Sequence, residues 1–401
     1  MTARHVLLED HSLMVRDGRI LDILPSAVAA ERYSATAVLL RHSHLLMPGL
    51  VNAQSSAVLP ARGDADPRHA NDRALTADFA RDSALATIAV MLKSGITCFC
   101  ERSHFPEETL RTSIEQGMRA VVGMPVTESS TPWANDAAQS LTRSLSLRDK
   151  YKGEPLVSTA FAPGSVSDLR DETLTRLGLL ADELEAGIML DLHESPDEIG
   201  ACLRTHGMRP IERLWHLGLL TPALNAVHML HLTPADLSLM QRTGISVTVC
   251  PRWALKYGKV LPEMAAFAAA DTRLGLGSSK FACSSAELWD DMKIVALLTD
   301  PWDTLHAATC GGAAVLGLDG EVGSLVPGKW ADLCCVDLSE PGTQPILDPL
   351  TQLVFGGGRH IVTDVWVAGR QLLSGGELTR LDWPQIAARS AAWATRLKTR
   401  G

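Results

Sequence analysis

Short apolar runs alternate with amphipathic stretches through the middle of the chain. The runs LLMPGLVNA, ITCFCE, RAVVGMP, LVSTAFAP, GIMLDLHE, NAVHMLH, ISVTVCP and TRLGLGSS begin at about residue 45. Each is too short for a helix and too uniformly apolar for a half-exposed strand, so each predicts a strand covered on both faces. Helical spacing fills the intervals, as from Thr76 to Lys93 and from Pro106 to Gln116. Strands regularly interleaved with helices predict a parallel sheet, and eight such units predict a closed (β/α)8 barrel. The flanks read differently. Val15-Arg16-Asp17-Gly18-Arg19-Ile20 has the pattern of a hairpin around an Asp-Gly turn. After the helical stretches ELWDDMKIVALLTD and DTLHAATCGGAAVLGL, the segments GSLVPGKWADLCCVDL and IVTDVWVAGRQLL are again β-rich. Chain termini often lie close together. The expected layout is an α/β, TIM-like barrel over 47–323, a small β-sandwich assembled from 1–46 and 324–375, and a C-terminal helix over 376–401.

Composition sharpens this picture. A chain of 401 residues with 46% hydrophobic content can fill a large core. Its net charge of −9, from 37 basic and 46 acidic residues, is spread without long single-sign runs. That argues against a nucleic-acid or anionic-membrane surface and for a small molecule or a protein as partner. The first residues mix charges with short apolar pairs, and no stretch approaches membrane-spanning length, so a cytoplasmic location is expected. The eight cysteines lack zinc-finger spacing and predict reduced, mostly buried thiols.

In a barrel the chemistry belongs at the C-terminal ends of the strands. Met47-Pro48-Gly49-Leu50-Val51-Asn52-Ala53 resembles the first-strand motif of the amidohydrolase superfamily. Gly323-Ser324-Leu325-x-x-Gly328-Lys329-x-Ala331-Asp332-Leu333 resembles its C-terminal motif, in the expected order. The group most similar comprises the S-adenosylhomocysteine/methylthioadenosine deaminases, triazine chlorohydrolases and guanine deaminases. The resemblance implies a divalent metal held by a His-x-His pair after the first strand, a fifth-strand His and an eighth-strand Asp. At those positions this chain has Gln54 and Ser56, Asp191, and Ser279. Two further family positions are retained. Glu194 matches the residue that shuttles a proton to the ring nitrogen, and His228 matches the sixth-strand His that orients the attacking water. His42-x-His44 lies about ten residues before the expected pair and reads as structural.

Metal binding lowers the pKa of water from 15.7 to about 7, worth on the order of 12 kcal/mol. General acid–base assistance supplies about 10²–10⁴-fold, which is far less. The first expectation is therefore a non-catalytic subunit without a metal or other cofactor. It would act as a homo-oligomer or as a heteromer with an intact amidohydrolase paralogue. Two alternatives stand beside it. One is a metal-independent hydrolase or deaminase acting on C–N bonds of a nitrogen heterocycle, with Glu194, His228, Asp191 and Lys280 as its new site. The other is a binding protein for a purine-like ligand. Trp253, in a seventh-strand motif that has lost a polar Ser-Asn pair, and His193 are candidate substrate contacts. Lys280 is expected to neutralise the carboxylates left around the vacated metal position, because unpaired buried charge is costly. The segment after Ser56 also reads as about ten residues short of the family's substrate-covering loop.

Overall fold

Asp17 and Gly18 both adopt positive φ (51° and 77°), which closes the tight turn between β1 (His11–Arg16) and β2 (Arg19–Pro25). In the computed structural model, which describes residues 6–56, 76–279 and 286–399, this hairpin forms its own two-stranded sheet beside a five-stranded antiparallel sheet. That sheet receives β3 (His44–Pro48) from the N-terminal part of the chain. Between the two parts run eight parallel strands: β4 (Leu50–Ser55), β5 (Ile96–Arg102), β6 (Arg119–Val126), β7 (Val157–Pro163), β8 (Ile188–Leu192), β9 (Leu224–His228), β10 (Ser246–Val249) and β11 (Leu274–Leu276). They pair in chain order, and the ends meet through a bridge between Ser55 and Ser279, where the Ser279 N–H donates to the Gln54 carbonyl at 2.8 Å. The result is the barrel that the alternating pattern predicts.

Helices cover the outside and bury their apolar faces against Phe99, Val122, Leu190 and their neighbours. A separate cluster from four adjacent strands, Cys100, Val121, Ala160 and Met189, fills the interior. Close approach explains the first-strand glycine: a Cβ on Gly49 would lie 2.1 Å from the Thr97 side chain. The seven cysteines among the described residues are free, and all but Cys310 are buried. No helix among the described residues is long and apolar enough to cross a membrane.

The sheet of the second domain runs β15 (Glu377–Leu378), β14 (Arg370–Ser374), β13 (Val362–Val367), β12 (Leu333–Asp337), β3. Its join to the barrel explains the Gly-Lys-x-Ala-Asp-Leu motif. Asp332 accepts two hydrogen bonds from Arg119 at the start of β6, at 2.8 and 3.1 Å, and one from the Ala368 N–H at 2.8 Å. Its carbonyl accepts from the Gly49 N–H, and the Ala331 N–H donates to Gly18. One short motif thus ties barrel, sheet and hairpin together. The helix Trp383–Thr399 docks back on the helix Ala77–Lys93, where Trp393 packs edge-on to Phe79 and donates to Asp82 at 2.8 Å.

Glu101, near the end of β5, is completely buried. Burial pushes its carboxyl up to about 7, against the opposing hydroxyls of Thr109 and Ser103. The folded pKa lies above the ordinary carboxylate value, so the stability it contributes is full below about pH 4.5 and is lost as pH rises through about 7. Glu101→Gln is accordingly expected to stabilise the protein at pH 8 by up to about 3 kcal/mol and to change little near pH 4. Urea unfolding at the two pH values checks this, and parallel shifts at both would contradict it.

Candidate functional site

The C-terminal ends of β8, β9 and β11 carry the strain expected of a working site. His193, His228, Met229 and Ser279 all have positive φ, 51°, 81°, 49° and 57°. Such conformations cost on the order of 1–3 kcal/mol each and persist only where their surroundings fix them. Here the Met229 N–H donates to Leu192 at 3.0 Å and the Leu230 N–H to His193 at 3.1 Å, locking the two strand ends together. The next turn is held from below. Glu198 accepts from the Glu194 N–H at 2.7 Å and from the His193 N–H at 3.3 Å, while Ser195 caps the helix Pro196–His206. Burial pushes the Glu198 carboxyl up to about 7, and the nearby charges of Glu194 and Asp191 act in the same direction.

These strand ends bring Asp191, Glu194 and His228 together, with one ligating atom of each within 4.8 Å of the others. His228 Nε2 lies 3.6 Å from Asp191 Oδ1. Arg102, the last residue of β5, donates from Nη2 to that same oxygen. Lys259 donates to Glu194 Oε1 and to the Glu194 carbonyl, each at 3.1 Å. Trp253 stacks on His228 with ring centroids 4.0 Å apart, and Lys259 lies 4.9 Å above the Trp253 ring. Arg102, Asp191, His228, Trp253, Lys259 and Glu194 therefore form one continuous chain of contacts. Its accessibility is graded: the His228 side chain is 2% exposed, Asp191 23% and Glu194 34%. The carboxylates are the more exposed end of this cluster and the imidazole the buried end.

Gln54 and Ser279 adjoin across the barrel seam, and Ser56 follows one residue beyond it, half-buried. Cys250, hydrogen-bonded to Ser279 and within the fields of Asp191 and Arg102, links the seam to the three-residue cluster, and burial raises its thiol well above the usual range. Trp253 is 5% exposed and presents its face to His228. Its bulk sets the position of the imidazole. His193 is fully buried, receives a hydrogen bond from the Ile211 N–H and lies beside Arg209 and Asp236. Burial pulls its pKa down to about 4, so it is neutral, and it offers no surface to a substrate. Lys280 and the segment 57–75 lie outside the described residues. Among the described residues, Arg102 and Lys259 pair with the two carboxylates. Arg102 was within reach of the sequence reading, as the charged residue that ends ITCFCER, one position past the apolar run.

The seam positions Gln54, Ser56 and Ser279 offer an amide and two hydroxyls. Two carboxylates and an imidazole are nevertheless a donor set that suits a divalent cation. Asp191, Glu194 and His228 are the residues that would hold one.

The sequence profile of the Amidohydrolase family matches residues 45–372. The chain is 33% identical to the 5-methylthioadenosine/S-adenosylhomocysteine deaminase of Teredinibacter turnerae, with 98% of this chain and 94% of that protein covered. It is 31% identical to the same-named protein of Saccharophagus degradans, covering 98% and 93%. Among solved structures it superposes on an adenosine deaminase from Xanthomonas campestris with bound zinc at a TM-score of 0.95, 34% identity and coverage of 99% and 95%. The zinc-complexed atrazine chlorohydrolase variant of Arthrobacter aurescens shares the fold at a TM-score of 0.87 and 18% identity, covering 96% of each chain. These findings overturn the expectation of a non-catalytic subunit. Near full-length relatives are named as deaminases, and the site retains a cluster of three groups able to bind metal or move protons. That expectation weighed each lost ligand separately, whereas the alternative that groups Asp191 with Glu194 and His228 agrees with the cluster observed here.

Proposed function

Because the chain belongs to the amidohydrolase family, we propose that it hydrolyses a C–N bond of a nitrogen heterocycle, removing an exocyclic amino group as ammonia. The convergence of Asp191, Glu194 and His228 within 4.8 Å carries this reading. Adenine-bearing nucleosides and thionucleosides are the first substrates to try, given the names of the relatives.

In this reading water adds to the ring carbon that bears the amino group. A C–O bond forms while His228, polarised by Asp191, takes a proton from the water and Glu194 gives one to the adjacent ring nitrogen. The tetrahedral adduct then collapses. The exocyclic C–N bond breaks, His228 gives its proton to the departing nitrogen, and Glu194 is reprotonated from the new hydroxyl, which becomes the carbonyl while the ring nitrogen keeps its proton. The net change is amine plus water to carbonyl plus ammonia. Lys259 keeps the Glu194 carboxyl in place, and the Trp253 ring fixes the imidazole plane. A divalent ion bound to Asp191, Glu194 and His228 would supply Lewis acidity toward water.

The test is a panel of adenosine, 5′-methylthioadenosine, S-adenosylhomocysteine and guanine, followed by ultraviolet absorbance and ammonia release. At least one should be deaminated at a rate proportional to protein and abolished in His228→Asn. Turnover that is indifferent to His228→Asn would reject the assignment.

A further inference from the structure

We propose that Arg102 and a divalent cation are alternative occupants of the Asp191 carboxylate, so that Arg102 sets how tightly this centre binds metal. The inference uses the site described above but does not depend on the substrate or on turnover.

Three observations carry it. First, the guanidinium of Arg102 donates to Asp191 Oδ1, the oxygen that also faces His228 Nε2. A cation bridging Asp191 and His228 has to use the space and charge that Arg102 already satisfies. A dication beside a guanidinium is repelled, and Lys259 on Glu194 adds a second positive charge to the same cluster. Second, the path of Arg102 into the site is built by the neighbouring strand. A Cβ on Gly123 of β6 would lie 2.8 Å from Arg102 Cγ and equally close to the Ala162 Cβ, so the missing side chain leaves room for the arginine stem between β5 and β7. Its side chain is 9% exposed, which keeps the ion pair away from bulk screening. Third, the hold is incomplete. Arg102 Nε is buried without a hydrogen-bond partner among the described residues, as are both amide atoms of Gln54 and the hydroxyl of Ser279 across the seam. Unsatisfied buried polar groups of this kind favour a second arrangement in which they are used. The carboxylates, imidazole and neutral oxygens suit a cation of intermediate hardness, such as manganese, as well as zinc.

The experiment is calorimetric titration of metal-stripped full-length protein with Mn²⁺ and, separately, Zn²⁺. It compares the unmodified chain with Arg102→Gln, Arg102→Lys and the double variant Arg102→Gln/Asp191→Asn. Arg102→Gln should bind at least about tenfold more tightly than the unmodified chain. Arg102→Lys, which keeps the charge, should bind as weakly as the unmodified chain, and the double variant should lose the gain. Mn²⁺ electron paramagnetic resonance reads the same occupancy. Equal affinity for the unmodified chain and Arg102→Gln overturns the proposal, as does a gain that survives Asp191→Asn. Should Arg102→Gln fail to fold, Arg102→Met, which keeps an apolar stem and removes the charge, should raise affinity in the same direction, and no rise overturns the proposal. The readout is binding, so failure of the deaminase reading leaves these outcomes distinguishable.

Discussion

Glu194→Gln is expected to lower the rate of ammonia release by about 10²–10⁴-fold, the range typical of a lost general acid–base group. The substitution preserves size and polarity but removes the exchangeable proton. It also leaves the local fold in place, because the turn is held by Glu198 through the Glu194 backbone N–H rather than through its side chain. The ion pair to Lys259 is lost, yet that pair is partly exposed and contributes little to stability. The effect should therefore appear in kcat with an unchanged melting temperature. A Glu194→Gln variant within about threefold of the unmodified rate would remove Glu194 from the reaction.

The largest stability effect is expected at the domain junction. Arg119 and Asp332 bury an ion pair in which the side chains are 4% and 1% exposed, and Asp332 also holds the Ala368 N–H. Burial opposes the charged form of Arg119 while Asp332 more than offsets it, so the guanidinium pKa is raised overall. Arg119→Met leaves the Asp332 carboxylate buried without its counter-charge, and losing one partner of such a pair costs about 3–5 kcal/mol. Unfolding of the whole chain in urea measures it. A loss below about 1 kcal/mol would show that the motif does not join the barrel to the sheet as described.

The architecture was legible because it rests on local pattern. Unbroken apolar runs separated by helical spacing specify parallel strands, Asp17-Gly18 specifies the hairpin turn, and Gly49 and Asp332 sit in motifs whose steric and hydrogen-bonding roles the structure explains. The site was only partly legible. Asp191, Glu194 and His228 were identifiable by position, but their convergence depends on the strained backbone at His228 and His193. Among the described residues, the cations that pair with the carboxylates come from far along the chain, Arg102 at a separation of 89 residues from Asp191 and Lys259 at 65 from Glu194. No spacing rule reports such pairs. His193 illustrates the converse, since its place beside Glu194 suggests the mouth whereas the turn directs it into a buried network with Arg209 and Asp236.

The most direct measurement of the central claim is deamination in ¹⁸O-labelled water, with the unmodified chain beside Glu194→Gln and His228→Asn. Hydrolysis at this centre predicts one labelled oxygen in the product for each ammonia released by the unmodified chain, and loss of both signals together in the two variants. Absence of ammonia and label across the adenine and guanine substrates, from folded protein under conditions where the Xanthomonas campestris relative turns over, would contradict it.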